Sequence, residues 1–274
     1  MDFMSNQKKK GLTLAKKHNL TGWAFLLPAT LLIGWMSFYP MIRAFILSLQ
    51  TGMGVNLSFN GFANYARILK DPTFKQTLFN TFFYLIVQVP IMLVLALMFA
   101  SMLNNKDLRF KGLFRTCIFL PCATSLVSYA MIFRSLFAND GFINMVLRSL
   151  GMSPIMWFGN AWRWTGYNMV FYLSGLQNIE YSVYEAAKID GASPMQSFFK
   201  ITVPLLKPTI LLTAITSTNG TLQLFDESLN LTNGGPGKST MTMSHYIYNI
   251  SFKQSPNFGY AAAMSILILI MVAI

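Results

Sequence analysis

The chain has 274 residues, a formal charge of +12, 54% apolar residues and only 11% charged ones. A soluble domain of this size carries about 25% charged residues, so the composition excludes an ordinary soluble globule. The charge excess does not point to nucleic acid: the Lys and Arg gather at the ends of apolar runs, with no basic stripe interleaved with aromatics.

The apolar runs approach the ~20 residues that cross a ~30 Å hydrocarbon layer. Six spans fit, at roughly 21–47, 77–103, 114–137, 161–179, 206–226 and 259 to the end. The basic start at Lys8-Lys9-Lys10 and Lys16-Lys17 resembles a secretory signal. However, the run from Trp23 is too long and passes through Tyr39-Pro40 and Arg43 without a small-residue cleavage site. It reads as a retained first span after a tail of residues 1–20. Positive charge in that tail and in Asn104–Arg115 places both in the cytoplasm, with Arg67, Lys70 and Lys75 as a mild exception outside. An even number of spans returns the C-terminus to the cytoplasm. The last run, Gly259 to Ile274, covers only ~24 Å as a helix, so the natural span is expected to continue.

Between spans, Asp140-Gly141, Gly151 and Ser153-Pro154 punctuate short amphipathic pieces on the outer side, and Asn233-Gly-Gly-Pro-Gly237 signals a turn. Gly237-Lys238-Ser239 is only a fragment of a phosphate-binding loop, whose full spacing is missing. Cys117 and Cys122 read as buried apolar thiols, and His18 and His245 suggest no metal site.

Residues 180–204 form a polar, small-residue loop between spans four and five, predicted as two short helices. Glu185-Ala-Ala-Lys188 are helix formers, Asp190-Gly191 ends the first helix, and Ser193-Pro194 starts the second. Ala186 and Ala187 permit close approach, Glu185 and Asp190 offer charge to a basic rim, and Ala192 belongs to the same candidate contact. Two readings stay open on these grounds: a docking knob for another protein, or an interfacial helix pair that tidies the crossing.

Glu185-Ala-Ala with Gly191 and Ile201-x-x-Pro204 resembles the EAA motif of permease subunits in binding-protein-dependent ABC importers. The resemblance runs almost end to end. It includes Phe62-Ala-Asn-Tyr65, Asp71-Pro72, Asn80-Thr81, Phe114-Arg115, Leu120-Pro121, Asn233-Gly-Gly-Pro236, Tyr248 with Phe252, and Gly259-Tyr-Ala-Ala262. These resemble the sugar-importer branch for multiple sugars, raffinose, maltose or glycerol phosphate. Val203 before Pro204, and Ile179-Glu180 where Ile-Pro is common, are the departures.

The resemblance implies an all-α integral membrane protein with the six-span type I importer permease fold across 21–274. It also implies a coupling helix at 180–204 seated in a groove of a cytoplasmic ATPase. The implied partners are a second permease, two ATPase subunits, an external solute-binding protein and a sugar. ATP and Mg would be bound by the ATPase, and no cofactor by this chain, in a bacterial cytoplasmic membrane.

A sugar path needs hydrogen-bonding groups at membrane depth, where they are costly unless they face a cavity or a partner. Span four offers Trp164, Tyr167, Asn168 and Tyr172; span five offers Thr216, Asn219, Gly220 and Gln223. Such groups also join helices to one another, so both roles stay open. Asp226 and Glu227 could meet the binding protein, but read first as markers of the water boundary, and Arg43, Arg134 and Arg163 as snorkelling side chains. An ion-coupled secondary transporter would be expected to carry charge inside a span, and a membrane enzyme a nucleophile, paired carboxylates or a metal cluster; the sequence shows neither pattern. No basic residue stands clearly at mid-depth, which favours a neutral sugar over glycerol 3-phosphate or an acidic oligosaccharide.

Overall fold

A computed structural model describes residues 13–53, 56–105, 108–137, 141–151 and 159–273. Lys8-Lys9-Lys10, Lys106, Asp140, Ser153-Pro154 and Ile274 lie outside the described residues.

Helix α1 (Leu14–Ser48) runs without a break past the expected first span, and a second long helix, α3 (Pro72–Asn104), follows. Each contains a five-residue π turn, at Gly34–Phe38 and Tyr84–Gln88. A third π turn occupies Phe198–Thr202. All three come two residues before a proline: Pro40, Pro90 and Pro204. A helical proline has no N–H to donate and its ring presses on the carbonyl four residues back, and the wider turn absorbs that conflict.

Between these two helices the chain makes an antiparallel hairpin, β1 (Gln50–Met53) with β2 (Asn56–Phe59), and a short helix α2 (Ala63–Lys70). The hairpin is a departure from an all-helical reading, and the remainder is predominantly helical.

The expected third span is not one helix. Helices α4 (Lys111–Ala123) and α5 (Leu126–Phe137) meet at a bend of about 110°. Thr124 is extended there, and its hydroxyl donates to the Pro121 carbonyl. Helix α6 (Phe142–Ser149) leads towards α7 (Gly159–Gln177), which packs along α3. Ala96 and Ala100 of α3 are fully buried against Met169, Tyr172, Leu173 and Leu176, small residues allowing close approach without help from water.

Helices α8 (Tyr181–Ile189) and α9 (Pro194–Leu205) follow, then α10 (Lys207–Leu222) after a 68° bend. Helix α11 (Met243–Tyr248) continues into a π turn at Asn249–Lys253, and α12 (Phe258–Ala273) completes the described chain. Among the described residues, length and apolarity identify two helices able to cross a membrane, or four if each bent pair is one span. Helix α7 does not meet those criteria, and α12 is a shorter apolar helix of 16 residues.

Residues that stand far apart in sequence meet at one end of the bundle. Asn64 donates to the carbonyls of Ser48 (2.9 Å) and Gln50 (2.8 Å), and the Tyr65 hydroxyl lies 2.8 Å from Ser48 Oγ. Asn80 donates to the carbonyls of Lys238 and Met241, both at 2.9 Å, and Thr81 Oγ1 accepts from Met243 N–H. Asp71 caps α3 through Thr73 N–H and accepts the hydroxyls of Tyr246 (2.6 Å) and Tyr260 (2.7 Å). The Arg67 guanidinium lies 4.5 Å above the Tyr260 ring. These bonds clamp the ends of α1, α3 and α12 to one another over an apolar cluster of Ile68, Phe74, Met243, Tyr260 and Met264.

Candidate functional site

A cavity of about 140 Å³ lies where α3, α7 and α10 converge. Helix α3 contributes Gln88 and Met92, and α7 contributes Trp164 and Tyr167. Thr216, Ser217, Gly220 and Thr221 come from α10, and Leu224 from just beyond it. None of these lining residues is charged. The rings of Trp164 and Tyr167 meet edge to face at 5.6 Å. The wall therefore combines aromatic surface with one amide and the hydroxyls of Tyr167, Thr216, Ser217 and Thr221, groups suited to an uncharged, hydroxyl-rich solute.

The eight residues singled out for a solute path divide into three groups. Trp164, Tyr167, Thr216 and Gly220 line the cavity. Asn168 and Tyr172 are buried in the contact of α7 with α10, outside the lining. Asn168 bonds Ser217 Oγ at 3.3 Å, and the Tyr172 hydroxyl lies 2.8 Å from Thr213 Oγ1. They join two helices here. Asn219 and Gln223 are exposed, and the Gln223 amide donates to Asn219 Oδ1. Gln223 stands one residue past the end of α10, so it does not continue the helical face of Thr216 and Gly220.

Two residues outside that prediction matter to the cavity. Gln88 is a buried amide inside an apolar run and closes the π turn of α3, a placement its isolation between Val87 and Val89 could have flagged. Glu227 is buried rather than sitting at a water boundary: its Oε1 accepts the Trp164 indole N–H at 2.9 Å and lies 3.4 Å from Arg163 Nη1. Arg163 also lies 5.6 Å from the Tyr129 ring centroid, so it is held in place rather than extended to an interface. No sequence spacing announces this pair, because 64 residues separate its members.

At the other candidate site, α8 and α9 form the helix–bend–helix the sequence predicts. Gly191 takes φ +79°, and Ala192 N–H returns to the Ala187 carbonyl at 2.9 Å, closing the end of α8. Ser193 and Gln196 exchange backbone and side-chain bonds as a capping box, and the Tyr184 hydroxyl lies 3.0 Å from Thr202 Oγ1. Glu185, Ala186, Asp190 and Gly191 are exposed, and Ala187 and Ala192 are half-buried. Beside them Ile189 is 86% exposed, an apolar side chain on a polar knob that the sequence reading passed over. No group of three or more metal-ligating side chains occurs among the described residues.

Comparison with known proteins places this architecture. The chain is 50% identical to the lactose transport system permease protein LacF of Rhizobium radiobacter, over 96% of this chain and 93% of that protein. It is 35% identical to the arabinooligosaccharides transport system permease protein AraP of Halalkalibacterium halodurans, over 86% of this chain and 79% of that one. A chain in the crystal structure of a bacterial alginate ABC transporter, in complex with its alginate pentasaccharide-bound periplasmic protein, superposes with a TM-score of 0.77. It covers 94% of this chain and 93% of the other at 23% identity, a likeness of fold. Residues 74–274 match the family described as binding-protein-dependent transport system inner membrane component, and the chain belongs to that family.

Proposed function

We propose that this chain is the permease subunit of an ATP-driven ABC importer that carries a neutral sugar. The observation that carries the cargo class is the cavity: aromatic rings, an amide and hydroxyls line it, and no charge does. The nearby cation, Arg163, already pairs with Glu227. Similarity to the lactose and arabinooligosaccharide permeases supports a saccharide of that kind. The cavity is below the ~300 Å³ of ordinary ligand pockets. It accommodates part of a saccharide, leaving the remainder to a second permease subunit.

In this reading Trp164 and Tyr167 meet the apolar faces of a sugar ring, while Gln88, Thr216 and Ser217 exchange hydrogen bonds with its hydroxyls. Asn219 and Gln223, bonded to each other on the exposed side of α10, face the second permease and complete the path there. Residues 185–192 dock on a cytoplasmic ATPase, and the exposed Ile189 supports this: an apolar side chain left in water is better accounted for by a partner that covers it. ATP and Mg are bound by two copies of that ATPase and not by this chain. ATP and the loaded binding protein bind one state in preference to the other, and the helices rock between the two around the cavity. The membrane is the bacterial cytoplasmic membrane, with the N-terminus inside.

The test is co-purification of a tagged chain from its native membrane, followed by reconstitution and uptake of labelled lactose, arabino-oligosaccharides and an acidic sugar. Recovery of a second permease and an ATPase, with uptake of a neutral sugar dependent on the binding protein, is the expected result. Purification of the chain alone, or selective uptake of the acidic sugar, would overturn the reading.

A further inference from the structure

Glu227 lies one residue before the π turn Ser228–Thr232, and that turn opens the loop leading to α11. The loop is anchored. Ser228 Oγ donates to the Thr240 carbonyl at 2.8 Å and lies 2.9 Å from His245 Nδ1, and Thr242 Oγ1 donates to the Leu224 carbonyl. The Glu227 side chain is 7% exposed, a costly place for a carboxylate without partners. It has two, Arg163 Nη1 at 3.4 Å and the Trp164 indole N–H at 2.9 Å, both on one oxygen. An indole has a single donor. Satisfying that donor with an anchored carboxylate fixes the ring of the residue that walls the cavity.

We infer that Glu227 is a positioning residue for solute recognition, holding the Trp164 ring in place as a wall of the cavity. Arg163 balances the carboxylate and the loop after α10 supplies its anchor. The inference rests on the cavity being the solute site, but the placement of the ring can be read without any solute.

Hydroxyl-radical footprinting of the reconstituted importer, resolved by mass spectrometry to the Trp164 peptide, tests that placement. Glu227→Leu should raise the oxidation rate of Trp164 about tenfold, as expected for loss of a charge-assisted hydrogen bond. Glu227→Gln keeps an acceptor oxygen for the indole and should stay within about twofold of the unsubstituted protein. Uptake at saturating loaded binding protein should follow the same order. In a Trp164→Phe background, Glu227→Leu should change uptake by less than about twofold, because the bonded N–H is already gone.

Unchanged oxidation of Trp164 in Glu227→Leu would overturn the inference, as would uptake losses that multiply independently in the double variant. If Glu227→Leu fails to assemble, Glu227→Gln decides: a protected Trp164 supports the inference, and an exposed one in an assembled complex overturns it. Failure of the unsubstituted importer to take up any sugar would instead remove the proposed cargo, while the footprint still reports whether Glu227 places the ring.

Discussion

Asp71 and Tyr260, 189 residues apart, are joined by a 2.7 Å hydrogen bond that fastens the start of one long helix to the last helix. Tyr246 reaches the same carboxylate oxygen, so three segments meet on one atom. Tyr260→Phe removes one donor and leaves the other, and should destabilise the protein by about 2 kcal/mol, the range for a hydrogen bond to a charged group. The thermal midpoint of the purified importer should fall. An unchanged midpoint would show that the clamp contributes nothing.

The same end of the molecule should be sensitive to acid. Burial alone would raise the Asp71 pKa. The hydrogen bonds from Tyr246, Tyr260 and the Thr73 and Phe74 backbones more than offset it and hold the carboxyl below its usual value. Its stabilisation is complete above the unfolded value of ~3.9 and is lost as pH falls through the lower folded value. His245 acts earlier. Burial and the charge of Lys253 depress its pKa. Below ~6.5 the unfolded chain therefore binds a proton that the folded chain resists, and stability falls as pH drops. Ser228 gives its proton to Thr240, so His245 Nδ1 donates to Ser228 in the neutral form. A thermal midpoint that is flat above ~7 and declines below ~6.5 is expected, with the first part of that decline absent in His245→Gln.

Two glycines should respond to alanine in opposite ways. A Cβ on Gly259 would collide with the Gln50 carbonyl of β1, a backbone group with little freedom to yield. Gly259→Ala should cost about 1–3 kcal/mol by overpacking. Gly220 lines the cavity and a Cβ there meets nothing within 4 Å. Gly220→Ala should keep or slightly raise the thermal midpoint, since alanine is the better helix former, yet slow uptake by filling cavity space. Equal effects of the two on stability would contradict the packing described.

Gly191 holds a left-handed backbone with open space around the position of a Cβ, so a side chain there strains the bend by about 1–2 kcal/mol with no clash at its Cβ. Gly191→Trp should leave insertion and assembly intact but separate ATP hydrolysis from uptake. Coupled transport at the normal rate would remove residues 185–192 from the ATPase contact.

What the sequence revealed depended on whether the cause was local. The ends of α8 and α9 were legible because Asp190-Gly191 and Ser193-Pro194 act on their own neighbours. The break between α4 and α5 was not, because the apolar run continues through Thr124 and Ser125 while the backbone turns. Gln223 carries the polarity of the other candidates in span five, but the helix ends one residue before it. Asn168 and Tyr172 carry the same polarity as Trp164 and Tyr167. Only the packing of α7 on α10 turns the first two into the helix contact and the other two to the cavity. Glu227 and Arg163 were misread as boundary charges because their pairing depends on tertiary approach.

The π turn at Tyr84–Gln88 carries one residue more than an α-helix of equal hydrogen-bonding pattern would. Each residue advances an α-helix by about 100°. Winding the same residues into a regular α-helix would leave Gln88 in the cavity only by rotating everything before it through roughly that angle. Asp71, Asn80 and Thr81 would then face away from Tyr260, Lys238 and Met243. The wider turn thus keeps two recognition surfaces in phase along one rod, and a related sequence with one residue fewer at this point should hold both with a plain α-helix there.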